Sequence, residues 1–461
     1  MADNSVQQYL DLWRENRELL ETKAPAFMNA ARQEAAAVLA AAGFPRKGDE
    51  GYAEADIDAM FSPDLGVNIA RVPFRVDPSG AFRCSVPNIS TLTGFIANDI
   101  FAAGDALTHR LPEGVRVCSL AQAWQEKPEI LEKYYNRIAP QANGAVALNT
   151  LLAQDGVLVH VKRGVRLEKP VQLVNILGGA NVPMLAVRRL LVVLEENSSI
   201  KLLLCDHSDD VQPNVSDAVV EVHLAAGSDL QMYDMEESSS VTSRYANISV
   251  CQERDSHLLL NVSTLRCGTT RNDIRVSLDG EGAVCRMSGM AVSDGSQLAD
   301  TSATVLHNAP RCVSNQTFKY IVDENGRGAF QGLIRVAEGA HHTEAYQNNR
   351  NILAARTATM HTQPQLEIYC DDVKCSHGAA TGQIDPRAMF YMQSRGIPRT
   401  EARTMLMQAF MADVIDGVAI DALRDRLRHL VERRLCGIQT TCGSCVPAQS
   451  MKCVNKEAED D

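Results

Sequence analysis

The stretch GVLVHVKRGVRL, from Gly156 to Leu167, shows the pattern that decides the fold. Two short runs of aliphatic residues are bounded by glycines, which is typical of β-strands joined by tight turns. Short β runs between Gly, Asn and Asp continue from about Ala145 to Gln383, where helical periodicity nearly vanishes. Strands that follow one another without helices exclude an ordinary parallel α/β sheet and leave a sandwich, a barrel or a β-solenoid. No fixed repeat period chooses among these three architectures.

Helical periodicity marks the region before these strands, from residue 1 to about 135. Val6, Leu10 and Trp13 fall at positions i, i+4 and i+7 of one predicted helix. A second predicted helix runs from Phe27 to Val38, and Gly43 ends it. We interpret the apolar stripes of both helices as core packing.

The helical period returns after Pro398. Leu406, Phe410 and Val414 lie on one face of a predicted helix that stops at Gly417. A charge run on the helix that follows is either a solvated face or a docking surface for a partner, and the pattern alone is unspecific. The arginines of this run are Arg424, Arg426, Arg428, Arg433 and Arg434.

Composition sets limits on the function. The chain has 461 residues, a formal net charge of -12 and 45% hydrophobic residues, so it can bury a large core. No basic stripe outside the arginine-rich helix offers phosphate neutralisation, which argues against nucleic-acid binding. The start, MADNSVQQYLDLWREN, has neither a basic n-region nor an apolar h-region, and no long uncharged apolar run predicts a membrane span. We expect a cytoplasmic protein that is not attached to a membrane.

Motifs for nucleotide binding and hydrolysis are missing from the sequence. It contains no G-x-x-x-x-G-K-[ST] phosphate loop, no dinucleotide fingerprint and no nucleophile elbow. We therefore expect no catalytic residues and no nucleotide bound by this chain itself. The thirteen cysteines are predicted to be reduced thiols rather than a disulfide framework. The adjacent His341 and His342, in a strand-like stretch, are interpreted as structural.

Soft metal ligands are concentrated in LEIYCDDVKCSHGAATGQID, from Leu366 to Asp385. Apolar and polar residues alternate at its start with the period of a half-buried strand, and Asp371-Asp372 predicts a bend. After the bend, Cys375 and His377 share one face of an extended backbone, roughly 6 to 7 Å apart. A thiolate beside an imidazole suits zinc, iron or an iron-sulfur cluster, and Lys374 would favour the thiolate. A buried thiol and a satisfied histidine are the alternative interpretation.

A second group of thiols lies near the C-terminus. Its central Cys-x-x-Cys pair suits zinc or cluster coordination, or cycling as a redox dithiol. Because there is no second Cys-x-x-Cys, a flexible terminus with reactive thiols is the alternative. The group comprises Cys436, Cys442, Cys445 and Cys453.

Several segments resemble the SufB/SufD family, the paired scaffold proteins of the SUF iron-sulfur assembly system. The segment from Leu366 to Asp385 carries the most specific part of the resemblance. Near the N-terminus, FPRK and the acidic residues after it are similar to a SufD segment, although Tyr52 stands where SufD has a tryptophan. The other similar segments are Asp99 to Leu120, Gly144 to Leu177, Leu306 to Val336 and Glu344 to Leu353.

The resemblance implies a mainly β fold, a right-handed parallel β-helix core flanked by N-terminal and C-terminal α-helical domains. The domains we assign on this basis are a mostly helical domain (1–135), the β-helix core (136–390), a C-terminal helical domain (391–437) and a flexible cysteine-rich tail (438–461). The implied function is that of a SufD-like scaffold for iron-sulfur cluster assembly, which is not a stand-alone enzyme.

The resemblance also implies partners and cargo. A SufB-like β-helix protein would pair with the chain, and a SufC-type ABC ATPase would dock on the C-terminal helical domain. Cys375 and His377 would then line the subunit interface and help to hold transient iron or an iron-sulfur cluster.

Three alternatives remain at this point. The chain is instead SufB-like and carries clusters itself through its cysteine-rich tail, or it forms a homodimer when the partner is absent. The third alternative is a β-helical carbohydrate-active enzyme, which needs clustered catalytic carboxylates. Asp371 and Asp372 are the conspicuous acidic pair, but adjacent strand residues do not readily face one substrate.

Overall fold

The structure, a computed structural model, describes residues 4–72, 90–104, 107, 109–209 and 211–436. In these residues the strands are β1 (Gly66–Val67), β2 (Leu92–Ala97), β3 (Ile100–Ala103), β4 (Val115–Ser119), β5 (Val157–Val161), β6 (Arg166–Leu177), β7 (Met184–Leu194), β8 (Ser199–Ser208), β9 (Val215–Leu224), β10 (Asp229–Glu237), β11 (Ser243–Gln252), β12 (His257–Arg266), β13 (Thr269–Leu278), β14 (Val284–Ser293), β15 (Leu298–His307), β16 (Val313–Val322), β17 (Arg327–Val336), β18 (Thr343–Leu353), β19 (Thr359–Ile368) and β20 (Val373–Gly382).

These strands form a parallel β-solenoid in which the chain alternates between two ten-stranded sheets. The odd-numbered strands from β5 onward lie side by side in one sheet, and the even-numbered strands from β6 onward lie side by side in the other. This arrangement is the one that the predicted β-helix requires. Leu298, for example, pairs with Thr269 of one neighbouring coil and with Arg327 of the other. The coils differ in length, because Thr269 lies 26 residues after Ser243 whereas Thr359 lies 32 residues after Arg327. This variation hides the repeat from the sequence.

A left-handed residue turns the chain at the same corner of successive coils, between an odd strand and the next even strand. Each such residue donates its backbone N–H to a carbonyl of the following coil, as Asn197 does to Ala226 at 3.0 Å. Gly, Asn and Asp tolerate this conformation best, which explains their places between the β runs. The left-handed corner residues are Gly164, Asn197, Gly227, Asp255, Gly282, Arg311 and His342.

Helices lie mainly before and after the solenoid. Val6, Leu10 and Trp13 are buried on the first helix, and Gly43 follows the third, as predicted. None of the helices in the described part of the chain is long and apolar enough to cross a lipid bilayer. The helices are α1 (Asn4–Glu15), α2 (Arg17–Lys23), α3 (Ala26–Ala42), α4 (Ile57–Phe61), α5 (Leu120–Glu126), α6 (Pro128–Tyr134), α7 (Gly144–Leu152), α8 (Pro386–Ser394), α9 (Arg399–Asp416) and α10 (Asp421–Leu435).

The region from about Ala145 was expected to hold strands alone, and this expectation is wrong. The helix α7 lies at the start of that region, and all nine of its residues are buried. A helix that is apolar all round shows no polar face, so its period is invisible in the sequence. Strands also occur before residue 135, since β2 pairs with β6 and β4 with β5. At the other end of the core, α8 spans the boundary predicted at residue 390.

The core has an inner part and two outer parts. Aliphatic side chains such as Val192 and Leu202 fill the solenoid interior between the two sheets. The N-terminal helices cover the outer face of the odd sheet, where Leu148 of α7 belongs to one cluster with Leu191 of β7. The C-terminal helices cover the even sheet, where Met411 of α9 shares a cluster with residues of β10, β12 and β14. Each fully buried side chain of this kind contributes about 1.5 to 3 kcal/mol.

Charged residues interrupt the apolar interior along one side. The Arg244 guanidinium lies 2.8 Å from Asp206 and 2.7 Å from Asp234, and Arg188 lies 2.6 Å from Asp206. All four side chains are buried. Burial raises the pKa of the neighbouring Glu236 to about 7, although Arg244 opposes the shift. Arg244 therefore neutralises carboxylates that would otherwise destabilise the interior.

Asp217 of β9 is a buried carboxyl that we expect to be protonated. Asn149 of α7 donates to its backbone carbonyl at 3.1 Å, but neither carboxyl oxygen has a hydrogen-bond partner among the described residues. Burial raises the pKa of Asp217 well above its usual range. Because the pKa of an unfolded aspartate is about 3.9, folding stability should fall as pH rises above this value toward the folded pKa.

The variant Asp217→Asn should therefore be more stable than the native chain at pH 7.5. We expect a gain of about 1 kcal/mol or more in the free energy of unfolding, because the amide is neutral at every pH and needs no bound proton to be buried. The gain should vanish at about pH 3 and below, where both states are protonated. Urea denaturation at the two pH values measures it, with the exposed Asp255→Asn as a control. Equal stability of the variant and the native chain at pH 7.5 would contradict a protonated Asp217.

Candidate functional site

The last coil of the solenoid, formed by β19 and β20, is uncovered. β19 pairs with β17 and β20 with β18, and within the described residues no further strand pairs with either. Side chains at the interior positions of these two strands are exposed or only partly buried, because no further coil of the described residues covers them. Val336 is fully buried, whereas its partner Ile368 on β19 is 43% exposed. An unpaired edge with exposed apolar residues is a template for pairing with another chain.

Cys375 and His377 lie on β20, at this open end. Their register partners on β18 are Ala345 and Gln347, which are both buried in the interior. As alternate residues of one strand, Cys375 and His377 share a face, and that face continues the interior of the solenoid. Cys375 is partly buried and His377 is exposed. The structure thus places the two side chains on one face of a strand, while metal binding by them stays a prediction.

The role expected for Lys374 is contradicted. Its ammonium group pairs with Glu344 at 3.0 Å, and it lies on the opposite face of the strand from Cys375. Burial raises the pKa of the Cys375 thiol, and a backbone hydrogen bond with Ala345 offsets this effect only in part. In the free chain the thiol is therefore protonated at neutral pH, and a metal ion would have to displace its proton.

Polar side chains lie directly beneath His377. Gln347 is buried and donates through Nε2 to Gln316 at 3.1 Å. Gly332 makes room for this amide, because a Cβ at that position would lie 2.1 Å from Gln347 Nε2. The floor of the open end is thus polar under the histidine, whereas an apolar cluster with Ile334 at its centre lies beside Cys375.

Sequence reasoning missed a second thiol–imidazole pair, which joins the last coil to the preceding one. Cys370, between β19 and β20, forms a hydrogen bond through Sγ with His341 Nδ1 at 3.3 Å. The expectation that His341 and His342 lie in a strand is wrong, since both belong to the turn before β18. His342 pairs with Asp372 at 2.9 Å. Residues that stack in neighbouring coils are about 30 positions apart in the sequence, as Cys370 and His341 are. This spacing could have related the two residues, but it is hard to recognise because the coil length varies.

A metal ion bound at the open end would need further ligands besides the described side chains. Among the described residues, no group of three or more His, Cys, Asp and Glu side chains is arranged to hold a metal ion. The Cys375–His377 pair and the Cys370–His341 pair therefore provide two protein ligands each. Of the acidic pair Asp371 and Asp372, Asp372 pairs with His342 at 2.9 Å.

The remaining cysteines differ in burial and bonding. Buried in the described part of the chain, and in no disulfide, are Cys118, Cys205, Cys267, Cys285 and Cys312. Cys251 is partly buried and donates to Asp279 at 3.2 Å. Cys436 is disulfide-bonded, so the expectation of reduced thiols does not hold there. Four cysteines lie outside the described residues, namely Cys84 and, in the tail, Cys442, Cys445 and Cys453. Ligand binding by the cysteine-rich tail stays a prediction.

The arginine-rich helix α10 is tied to the solenoid rather than presented as one free face. Arg434 forms a bidentate pair with Asp294, at 2.6 and 2.9 Å, and Arg426 pairs with Glu237 at 2.8 Å.

By contrast, α8 has no buried residue. Phe390 and Tyr391 on this helix are 74% and 60% exposed.

Comparison with known proteins identifies the family. Residues 176–410 match the family model described as SUF system FeS cluster assembly, SufBD core domain, and residues 3–173 match the SufBD protein N-terminal region. The chain belongs to the SufB/SufD family. The core match covers most of the solenoid, including β19 and β20 with Cys375 and His377.

Relatives within the SufB/SufD family place the chain on the SufD side. It is 31% identical to the iron-sulfur cluster assembly protein SufD of Escherichia coli, over 65% of this chain and 71% of the relative. An iron-sulfur cluster assembly SufBD family protein of Synechocystis is 26% identical over 87% of this chain and 90% of the relative. SufB of Bacillus subtilis is 22% identical over 65% and 64%. The chain is thus a SufD-like member of a scaffold family for iron-sulfur cluster assembly.

Proposed function

We propose that this SufD-like chain pairs with a SufB-like chain through its open coil and holds iron or a nascent iron-sulfur cluster between the two as cargo. The observation that carries the proposal is the exposure of Cys375 and His377 on the uncovered last coil. Eight of the nine cysteines in the described part of the chain form no disulfide, which supports work in the cytoplasm, where thiols stay reduced.

Pairing at the open coil has a physical driving force. Covering Ile368 and the adjoining Leu366 would remove apolar surface from water, worth up to about 1.5 to 3 kcal/mol for each side chain. Unpaired N–H and C=O groups of β19 and β20 would gain partners from a second solenoid. A SufB-like chain belongs to the same family, and we expect its own last coil to be the complementary surface.

Cargo binding follows from the ligands that pairing would bring together. Cys375 and His377 supply one sulfur and one nitrogen ligand, which suit iron. A cluster needs about four such ligands, so the partner would have to supply the others. Ligands shared between two chains make the cargo exchangeable when the chains separate, which suits an assembly scaffold better than a storage site.

Docking of a SufC-type ATPase is assigned to α8 rather than to the arginines of α10. Two exposed aromatic residues on a short helix provide the anchors that protein interfaces use most often. The helices behind α8 give it a fixed support, because Lys319 of β16 pairs with Asp413 of α9 at 2.5 Å. The ATPase would supply the nucleotide chemistry for which this chain has no sequence motif.

Introducing a carboxylate at Ile368 should abolish pairing without disturbing the fold. In the variant Ile368→Asp, pairing would bury an unpaired charge, which we expect to weaken association at least about tenfold. Co-purification of tagged variants with a SufB-like protein measures the effect. Exposed Val241→Asp, away from the open coil, is the matched control. Undiminished pairing of Ile368→Asp, or a homodimer as the preferred assembly, would contradict the proposed interface.

Removal of the exposed aromatic rings on α8 should release the ATPase. The double variant Phe390→Ala and Tyr391→Ala removes two interface anchors, each worth about 2 kcal/mol or more at a typical hot spot. We expect ATPase binding in a pull-down to fall at least about tenfold while pairing with the SufB-like chain persists. Met405→Ala on α9 serves as the control. Retention of the ATPase by the double variant would remove α8 from the docking surface.

A further inference from the structure

A thiol and an imidazole from different coils meet at the corner of the open end. Cys370 follows β19 and is 6% exposed, packed in the same apolar cluster as Val336 and Ala340. His341 belongs to the preceding coil and is exposed. The two residues are 29 positions apart, and the stacking of coils brings Sγ to 3.3 Å from Nδ1.

The backbone holds His341 in this position. Its carbonyl accepts from Arg311 N–H at 2.8 Å, and its own N–H donates to Gly339 at 2.9 Å. His342, the next residue, has a left-handed φ of 59° and directs its ring to Asp372 instead. The turn therefore separates the two imidazoles, so that one binds a carboxylate and the other faces the sulfur of Cys370.

The distance between sulfur and nitrogen suits a shared metal ion. Zinc–sulfur and zinc–nitrogen bonds of about 2.3 and 2.0 Å at a tetrahedral angle place the two ligand atoms roughly 3.5 Å apart. The observed 3.3 Å is close to this value. An ion would replace the hydrogen-bonded proton between the two atoms, with only a small shift of the exposed histidine ring. The deep position of Sγ favours a small ion over a bulky reactant that would have to reach the thiol.

We propose that His341 and Cys370 form a half-site for a thiophilic divalent cation such as Fe²⁺, separate from the Cys375–His377 site and present in the unpaired chain. The thiol loses its proton to solvent when the ion binds, so thiolate and neutral imidazole become the two protein ligands. Water or a small-molecule thiol completes the coordination sphere. A half-site of this kind holds an ion weakly and releases it, in contrast to a closed structural site with four protein ligands.

Cobalt titration of the reduced full-length chain under anaerobic conditions tests this half-site. Co²⁺ takes the same ligands and gives a thiolate-to-cobalt charge-transfer band. The background variant carries Cys375→Ala, His377→Ala and serine at Cys436, Cys442, Cys445 and Cys453, so that the other candidate ligands do not contribute. We expect this background to bind one Co²⁺ with the charge-transfer band.

Adding Cys370→Ser to the background should eliminate the band, and adding His341→Ala should weaken Co²⁺ binding at least about tenfold, since even outer-shell losses cost 10- to 100-fold. Adding His342→Ala or Cys312→Ala should leave both unchanged. His341 is exposed, so its variant folds, and circular dichroism verifies each protein. A band that survives Cys370→Ser, or a background that binds no Co²⁺, would overturn the proposal. Failure here leaves the pairing test at Ile368 untouched, so the two proposals fail independently.

Discussion

Cluster formation by the assembled complex should fall at least about tenfold when His377 is replaced by alanine, while the fold of the chain is unchanged. The His377 side chain is exposed and is not packed in the core, so its removal costs little stability. The proposed cargo would lose one of its ligands, and loss of even an outer-shell partner weakens metal affinity by about 10- to 100-fold. Anaerobic reconstitution, followed by visible absorption and by iron and sulfide analysis, measures the yield.

Matched controls separate a ligand role from general damage to the last coil. His361 lies on β19 of the same coil and is exposed, but it alternates with the residues that continue the interior, so its side chain faces outward. His361→Ala should leave cluster yield unchanged. Cys375→Ala should lower the yield as His377→Ala does. Normal yield from both the Cys375 and the His377 variants would remove these residues from the cargo site.

Replacing Arg244 with alanine should cause a large loss of stability. Its guanidinium pairs with Asp206 and Asp234, and it donates to Asn272 at 2.8 Å. Without it, buried carboxylates lose their counter-charge, which typically costs about 3 to 5 kcal/mol. Chemical denaturation should show this loss, or the variant should be insoluble. Exposed Arg254→Ala should change stability by no more than about 0.5 kcal/mol.

The pH dependence of the Arg244 variant gives a second readout. Once the arginine is gone, burial would raise the pKa of the carboxyls around it, so that they fold best when protonated. The stability deficit should therefore be smaller at pH 5 than at pH 8. Combining Arg244→Met with Asp234→Asn and Glu236→Gln should restore much of the loss, because neutral groups need no counter-charge and Asp206 keeps Arg188 as its partner. A deficit that is independent of pH and resists this rescue would show that packing, not charge, is lost.

The solenoid was predictable in outline because its strands and turns follow local rules. Aliphatic runs mark the strands, and left-handed corners at Gly164, Asn197, Gly227 and Asp255 fall on residue types that tolerate positive φ. In later coils the left-handed corner residues include Arg311 and His342, which are not of the Gly, Asn or Asp types that mark the earlier corners. Because the coil length also changes, the stacking order cannot be counted from the sequence.

Contacts between distant segments explain what the sequence did not reveal at the site. Cys375 and His377 are two residues apart, so strand geometry alone places them on one face. Cys370 and His341 meet only through coil stacking, and Arg434 reaches Asp294 from 140 residues away. The arginines of α10 resembled a docking face because local charge patterns do not show which side chains have partners elsewhere in the fold.

The most direct test of the account is the position of iron in the paired complex. Crystals of the complex with a SufB-like chain, loaded with iron under anaerobic conditions, would reveal iron by anomalous scattering at its absorption edge. We predict a peak within bonding distance of Cys375 Sγ and the His377 ring, at an interface that covers β19 and β20. Iron bound elsewhere, with the last coil still exposed in the complex, would contradict the account.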